Sequence, residues 1–313
     1  MPAISTDNLS KYYTGVKALD GLNMEVDENV IFGFLGPNGA GKTTAVKLLT
    51  GFIHPTKGSA RVAGEPVEEG NLALQKAISL LPDVPAFYDW MNAREYLHFV
   101  AGLHQLSKNE TKIRSEEMLE LVGLKREGGR RIGGYSRGMR QRLGIAQALM
   151  NRPKVLFLDE PTSALDPVGK REVLDLIKKL KQTSTVFMST HNLNEVERLC
   201  DTVGIINRGR LLTISSVEQL QKQYARSLFE MEFLEEASPF LETLRQTSWL
   251  AEPETISQNG VPVIRVKARD LDYARRELPR LISDSGLTLA RYELVMPSLE
   301  DIFVEILSKE EPR

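Results

Sequence analysis

The chain has 313 residues, room for about two domains. Forty Lys and Arg against 42 Asp and Glu leave a net charge of −2, so no broad positive field exists to draw nucleic acid or anionic lipid without specificity. The single cysteine, Cys200, excludes an internal disulfide and fits a reducing compartment. No apolar run approaches the roughly 18 residues that span a bilayer, and no basic stretch followed by an apolar one marks a signal peptide at the N-terminus.

Residues 1–35 read as β-rich. Leu22–Val26 alternates, and Val30–Leu35 is nearly all apolar, which predicts a strand buried on both faces. A helix is expected over Lys42–Thr50. Two more follow over Arg94–Leu103 and Lys112–Val122, and another over Met139–Met150, closed by Asn151 and Pro153. Strands at 155–159, 185–190 and 203–206 then alternate with helices at 168–181 and 193–200, the pattern of a parallel sheet with crossover helices. Past about Leu220 the texture changes. Strands at Leu228–Phe233, Val261–Lys267 and Leu287–Val295, with helices at Phe240–Arg245, Leu271–Asp284 and Leu299–Leu307, predict a small α+β domain.

Gly36-Pro37-Asn38-Gly39-Ala40-Gly41-Lys42-Thr43, with Thr44 after it, fits G-x-x-x-x-G-K-[ST] in full and sits between a strand and a helix. Glycines let successive N–H groups turn toward phosphate oxygens, and the helix start adds its positive end. Lys42 is placed to meet the β- and γ-phosphates of ATP, and the Thr43 hydroxyl to ligate Mg²⁺. A cation at a helix start opposes the dipole, so a ligandless glycine turn explains Lys42 poorly. Val155–Leu158 is followed by Asp159 and Glu160. Buried carboxylates are costly unless paired or metal-bound. Beside a phosphate loop, Asp159 is expected to hold Mg²⁺ and Glu160 to polarise the attacking water, although such a pair alone is as readily a turn cap. Ser136 and Gly138 open the expected helix at 139 and offer a second anion site. One chain does not need two sites for one triphosphate, so the second is expected to serve a neighbouring subunit.

With these residues in order, residues 1 to about 215 resemble an ATP-binding-cassette (ABC) protein, and in particular the ATPase of ABC-2-type exporters. That subgroup shares a Tyr135–Leu143-like signature and an ending like Pro297–Phe303. The resemblance implies an α/β fold: a P-loop NTPase cassette with a RecA-like parallel sheet core, an antiparallel β subdomain and an α-helical subdomain at about 84–150. The cassette would span 1–218, with a C-terminal α+β domain over 219–313. It further implies a head-to-tail dimer with ATP between the phosphate loop of one copy and Ser136 and Gly138 of the other. Ser163, Ala164, Leu165 and Asp166 would couple the two sites, His191 would contact the γ-phosphate, and Tyr13, with Tyr12 as the alternative, would stack on adenine. Asp83 stands where the family usually carries a metal-sensing Gln; a carboxylate accepts bonds from metal-bound water but cannot donate as an amide does. The implied partners are a second copy and an integral membrane permease, with no nucleic acid, and the implied place is the cytoplasmic inner face of the cell membrane. The aromatic stretch around Trp90 is either a permease contact or plain core. Two other readings stay open: a soluble, non-transport cassette ATPase acting on nucleic acid or ribosomes, and a regulatory subunit that holds ATP without hydrolysing it.

Overall fold

Three strands, Ile31–Leu35, Val155–Asp159 and Thr185–Thr190, are buried at every residue, as strands covered by helices on both faces must be. The computed structural model describes residues 2–163, 165–224, 228–251, 253–258, 260–295 and 298–308. The three strands lie in a six-stranded sheet ordered Arg210–Ser216, Thr202–Asn207, Ile31–Leu35, Thr185–Thr190, Val155–Asp159, Ile78–Leu81. All neighbours run parallel except the first pair, which is an antiparallel hairpin. Phe32, Phe34, Phe157 and Phe187 pack together within the core at ring separations of 5.3 to 6.5 Å. The register decides where chemistry can occur. Leu35 pairs with Thr190, Asp159 with Ser189, and Leu81 with Leu158. The segments after these strands therefore emerge side by side at the carboxyl edge, where open α/β sheets bind ligands.

A second, antiparallel sheet has the order Val16–Val26, Ile4–Tyr13, Lys57–Val62, Glu65–Pro66. Its inner residues, Ile4, Leu22 and Val62 among them, share one apolar core with Phe32 and Phe34. Between the adjacent strands Ile78–Leu81 and Val155–Asp159 of the six-stranded sheet, the chain forms the helices Ala93–Leu103, Lys108–Leu121 and Arg137–Ala148. The second of these starts four residues before the expected Lys112 because Ser107 and Glu110 form a capping box. The third starts at Arg137, not Met139, because the Ser136 side chain caps it.

The chain divides into two compact units, Met1–Ser216 and Val217–Arg313. The second is a four-stranded antiparallel sheet, Glu254–Gln258, Val261–Lys267, Leu228–Phe233, Leu289–Val295, with helices Val217–Tyr224, Ser238–Arg245, Leu271–Asp284 and Leu299–Ser308. Phe229, Met231, Phe240, Leu244, Ala274 and Leu278 fill its core. Glu230 is buried within it and takes bonds from Arg265 at 2.8 Å and Arg291 at 3.4 Å. The strand Glu254–Gln258 was not foreseen, and the last strand begins at Leu289, two residues after the expected start. Pro297, part of the expected ending, lies outside the described residues.

Candidate active site

The phosphate loop leaves the strand Ile31–Leu35 and enters the helix Lys42–Leu49. Two of its glycines are required by close approach. A Cβ on Gly36 would lie 2.4 Å from the Ile206 carbonyl oxygen, and one on Gly41 would lie 2.4 Å from that of Ala18. Gly41 also has φ +108°, the left-handed region that glycine alone adopts freely. Ala40 accepts from the Gly209 N–H at 2.9 Å, which ties the loop to the hairpin beyond Thr202–Asn207. Gly41 caps the helix without a side chain, so no side chain occupies the first-turn N–H groups. Lys42 is buried. Its Nζ donates to the carbonyl oxygens of Gly36 at 2.8 Å and Pro37 at 3.3 Å, and stands 3.4 Å from Glu160 Oε1. An open cavity of about 500 Å³ lies over the loop, lined by the loop residues from Asn38 to Thr44 other than Ala40, by Glu160 and Arg208, and by Val16, Lys17 and Ala18 at the start of the strand Val16–Val26.

Asp159 ends its strand in a buried position, where the Ser189 hydroxyl donates to its carboxylate and the Thr43 hydroxyl stands at 3.5 Å. Among the described residues, no cation pairs with Asp159. Glu160 adopts φ +48°, which costs a non-glycine residue roughly 1 kcal/mol. Its backbone is pinned on both sides: the N–H donates to Ser189 O and the C=O accepts from Ser163, each at 3.0 Å. The side chain then spans two partners, Lys42 through Oε1 at 3.4 Å and His191 Nδ1 through Oε2 at 2.9 Å. The structure thus brings Lys42, Thr43, Asp159, Glu160 and His191 together at one sheet edge.

The remaining expected residues lie in other settings. Tyr13 is half exposed, whereas the Tyr12 hydroxyl donates to Asp20 at 2.8 Å. The Arg210 guanidinium, then that hydroxyl, hold the Asp20 carboxyl down at about 2. Tyr13 is therefore the freer of the two rings. Ser136 and Gly138 start their helix and are not among the residues lining the loop's cavity. Of the arginines around them, Arg140 pairs with Asp89 at 2.8 Å and Arg142 with Glu172 at 3.7 Å. Asp83 receives the Ser163 hydroxyl. Asp166 caps the helix Pro167–Leu180 by accepting from Gly169 at 3.0 Å, Leu165 is half-buried, and Ala164 lies outside the described residues.

Sequence reasoning missed Ser189 and Arg208. Ser189 carried a readable signal, a hydroxyl closing the apolar run Val186–Met188; Arg208 carried none, since only the fold brings it to the loop.

The sequence model of the ABC transporter family matches residues 19–163, and that of an ATP-binding protein DrrA1-3-like C-terminal domain matches residues 216–307. The chain is 38% identical to the uncharacterized ABC transporter ATP-binding protein YxlF of Bacillus subtilis, over 97% of this chain and 99% of that one. It is 37% identical to the bacitracin transport ATP-binding protein BcrA of Bacillus licheniformis, over 97% of each. Among solved structures it is similar to an ATP-binding subunit of an ABC transporter, with TM-score 0.64 and 27% identity over 71% of this chain and 93% of that one.

Proposed function

The chain belongs to the ATP-binding proteins of ABC transporters, and from that premise we propose how its residues turn ATP hydrolysis into movement of a membrane partner. It is an ATP-hydrolysing, nucleotide-binding subunit. The observation that carries the mechanism is the Glu160 carboxylate, bridged between Lys42 and His191 at the mouth of the phosphate loop.

In this reading the loop N–H groups and Lys42 bind the β- and γ-phosphates, and the ammonium exchanges its carbonyl partners for phosphate oxygens. Glu160 orients the attacking water and accepts its proton, while His191 fixes the carboxylate and meets the γ-phosphate. Asp159 and Thr43 suit Mg²⁺: a buried carboxylate with no cationic partner among the described residues, beside a hydroxyl, is a hard oxygen donor set. Bound there, Mg²⁺ would neutralise charge on the transferring phosphate. Tyr13 supplies an exposed ring for adenine.

Ser136 and Gly138, at a helix start away from the cavity, serve the triphosphate of a second copy in a head-to-tail dimer, with Ser163–Asp166 between the two sites. ATP closes the pair because it contacts both copies, and hydrolysis removes those contacts, a population shift driven by differential binding. No helix among the described residues is long and apolar enough to cross a membrane; in this reading the chain works at the inner membrane face on an integral membrane permease. Val84, Tyr88, Trp90, Phe99 and Leu103 are exposed on neighbouring stretches and give an apolar face for that partner. Similarity to a bacitracin transport protein supports transport, and the exporter-like Tyr135–Leu143 stretch supports outward direction.

The test uses Glu160→Gln. It should bind ATP normally, lose turnover by about 10²-fold or more and accumulate as an ATP-bound dimer in size-exclusion chromatography. Unchanged turnover would remove Glu160 as the base. A mixture of Ser136→Glu and Lys42→Ala chains should regain activity that neither has alone; failure to do so counts against sharing between copies.

A further inference from the structure

Glu195 is 2% exposed, four residues after His191, and has no place in the mechanism above. Its carboxylate gathers three segments. Thr162 Oγ1 donates to Oε1 at 2.7 Å, Thr190 Oγ1 stands 3.4 Å from Oε2, and Lys170 Nζ stands 2.6 Å from Oε1. Thr162 belongs to the turn that runs from Glu160 into Ser163, Thr190 directly precedes His191, and Lys170 is on the helix that Asp166 caps.

Local helix chemistry does not account for this. Glu195 is the third residue of the helix Leu193–Leu199, whose cap is Asn192, and a Glu there ordinarily reaches back to the cap's N–H. Here the Asn192 N–H donates instead to Thr190 Oγ1 at 3.0 Å, and the Glu195 side chain turns inward to Thr162. A buried carboxylate is also costlier than an apolar residue of similar size unless its bonds serve some other end.

We infer that Glu195 is a positioning residue: through Thr162 and Thr190 it holds the turn after Glu160 and the strand end before His191 in register, so that the 2.9 Å contact between the two forms. The inference rests on the proposed roles of Glu160 and His191. The phosphate loop lies outside this network, so Glu195 acts on the chemical step and not on ATP capture.

The test measures Mg-ATP turnover and ATP binding in the full chain. Glu195→Ala should lower kcat about ten- to a hundredfold while KM and the affinity for a fluorescent ATP analogue stay within about twofold. Glu195→Gln keeps acceptor oxygen for Thr162 and should recover most of the loss. Thr162→Val, close in shape, should reproduce part of it, and adding it to Glu195→Ala should change little further. A purely structural role would instead lower kcat and ATP-binding stoichiometry together, tracking the folded fraction by circular dichroism. A folded Glu195→Ala with normal kcat overturns the inference; where that variant does not fold, normal kcat in Thr162→Val does so. His191→Ala and Glu160→Gln are run alongside. Turnover retained in these removes the parent reading and this one with it, whereas turnover lost in them but kept in the Glu195 and Thr162 variants removes this inference alone.

Discussion

Two buried carboxylates, one in each unit, show how differently a fold can treat the same group. Glu230 in the second unit receives Arg265 Nε at 3.1 Å and Nη2 at 2.8 Å on one oxygen, and Gln258 at 2.9 Å and Arg291 at 3.4 Å on the other. Its charge is matched by its own chain, and the network is structural. Among the described residues, Asp159 in the first unit has only hydroxyls as side-chain partners, from Ser189 and Thr43. Lys42, of opposite sign, rests largely on backbone carbonyls. Desolvation penalises both kinds of site. Only the first kind is offset within the chain, so an incompletely matched buried charge points to a ligand.

Asp159→Asn should produce the largest effect. Losing the carboxylate that suits Mg²⁺ removes several kcal/mol of transition-state stabilisation, so turnover should fall by roughly 10³-fold. Thermal stability without nucleotide should hold or rise, because an uncompensated buried charge is gone. A large loss of that stability would break the contrast with Glu230. Conversely, Glu230→Ala leaves two arginines without their buried partner and should cost the second unit about 3 to 5 kcal/mol. Trp249, in edge contact with Tyr273, reports this in a Trp90→Phe background by urea titration of its fluorescence. A change under about 1 kcal/mol would reduce the Glu230 cluster to an ordinary surface pairing.

The legible parts of the sequence were those whose physics is local. Gly36–Thr43 could be read because backbone turning, helix start and lysine are all specified within one short stretch. The strand Val155–Asp159 could be read because burial on both faces removes every polar residue until the carboxylates. Interactions set by register were not legible. Nothing near Glu195 in sequence announces Thr162, and nothing near Asp159 announces Ser189, since those pairs exist only once Val155–Asp159 lies beside Thr185–Thr190. Ser107 and Glu110 did carry a readable cap, and the helical periodicity from Lys112 obscured it. The strand Glu254–Gln258 is largely exposed and lacks the apolar alternation that marks a half-buried strand.

Smaller effects sharpen the comparison inside the phosphate loop. Gly41→Ala puts a methyl 2.4 Å from the Ala18 carbonyl oxygen at φ +108°, whereas Gly39→Ala at φ +80° meets nothing within 4 Å. The first should cost about 1 to 3 kcal/mol of strain and weaken ATP binding at least about tenfold by reshaping the cradle. The second carries only the left-handed penalty of roughly 1 kcal/mol. Calorimetric ATP titration separates them, and equal affinities would mean that the cradle tolerates reshaping.

The smallest effect belongs to a carboxylate near water. Asp20 is paired with Arg210, itself largely exposed, and its carboxyl sits near 2 against an ordinary 3.8. A depressed folded value means that the pair's stabilisation is present above about 3.8 and disappears as pH falls through about 2. Arg210→Ala should move the carboxyl back toward 3.8, readable by carbon-13 NMR titration, yet barely shift the unfolding midpoint at about pH 7, because solvent screens exposed pairs. A drop there as large as that of Glu230→Ala would mean that burial is not what separates matched charges that stabilise from those that do not.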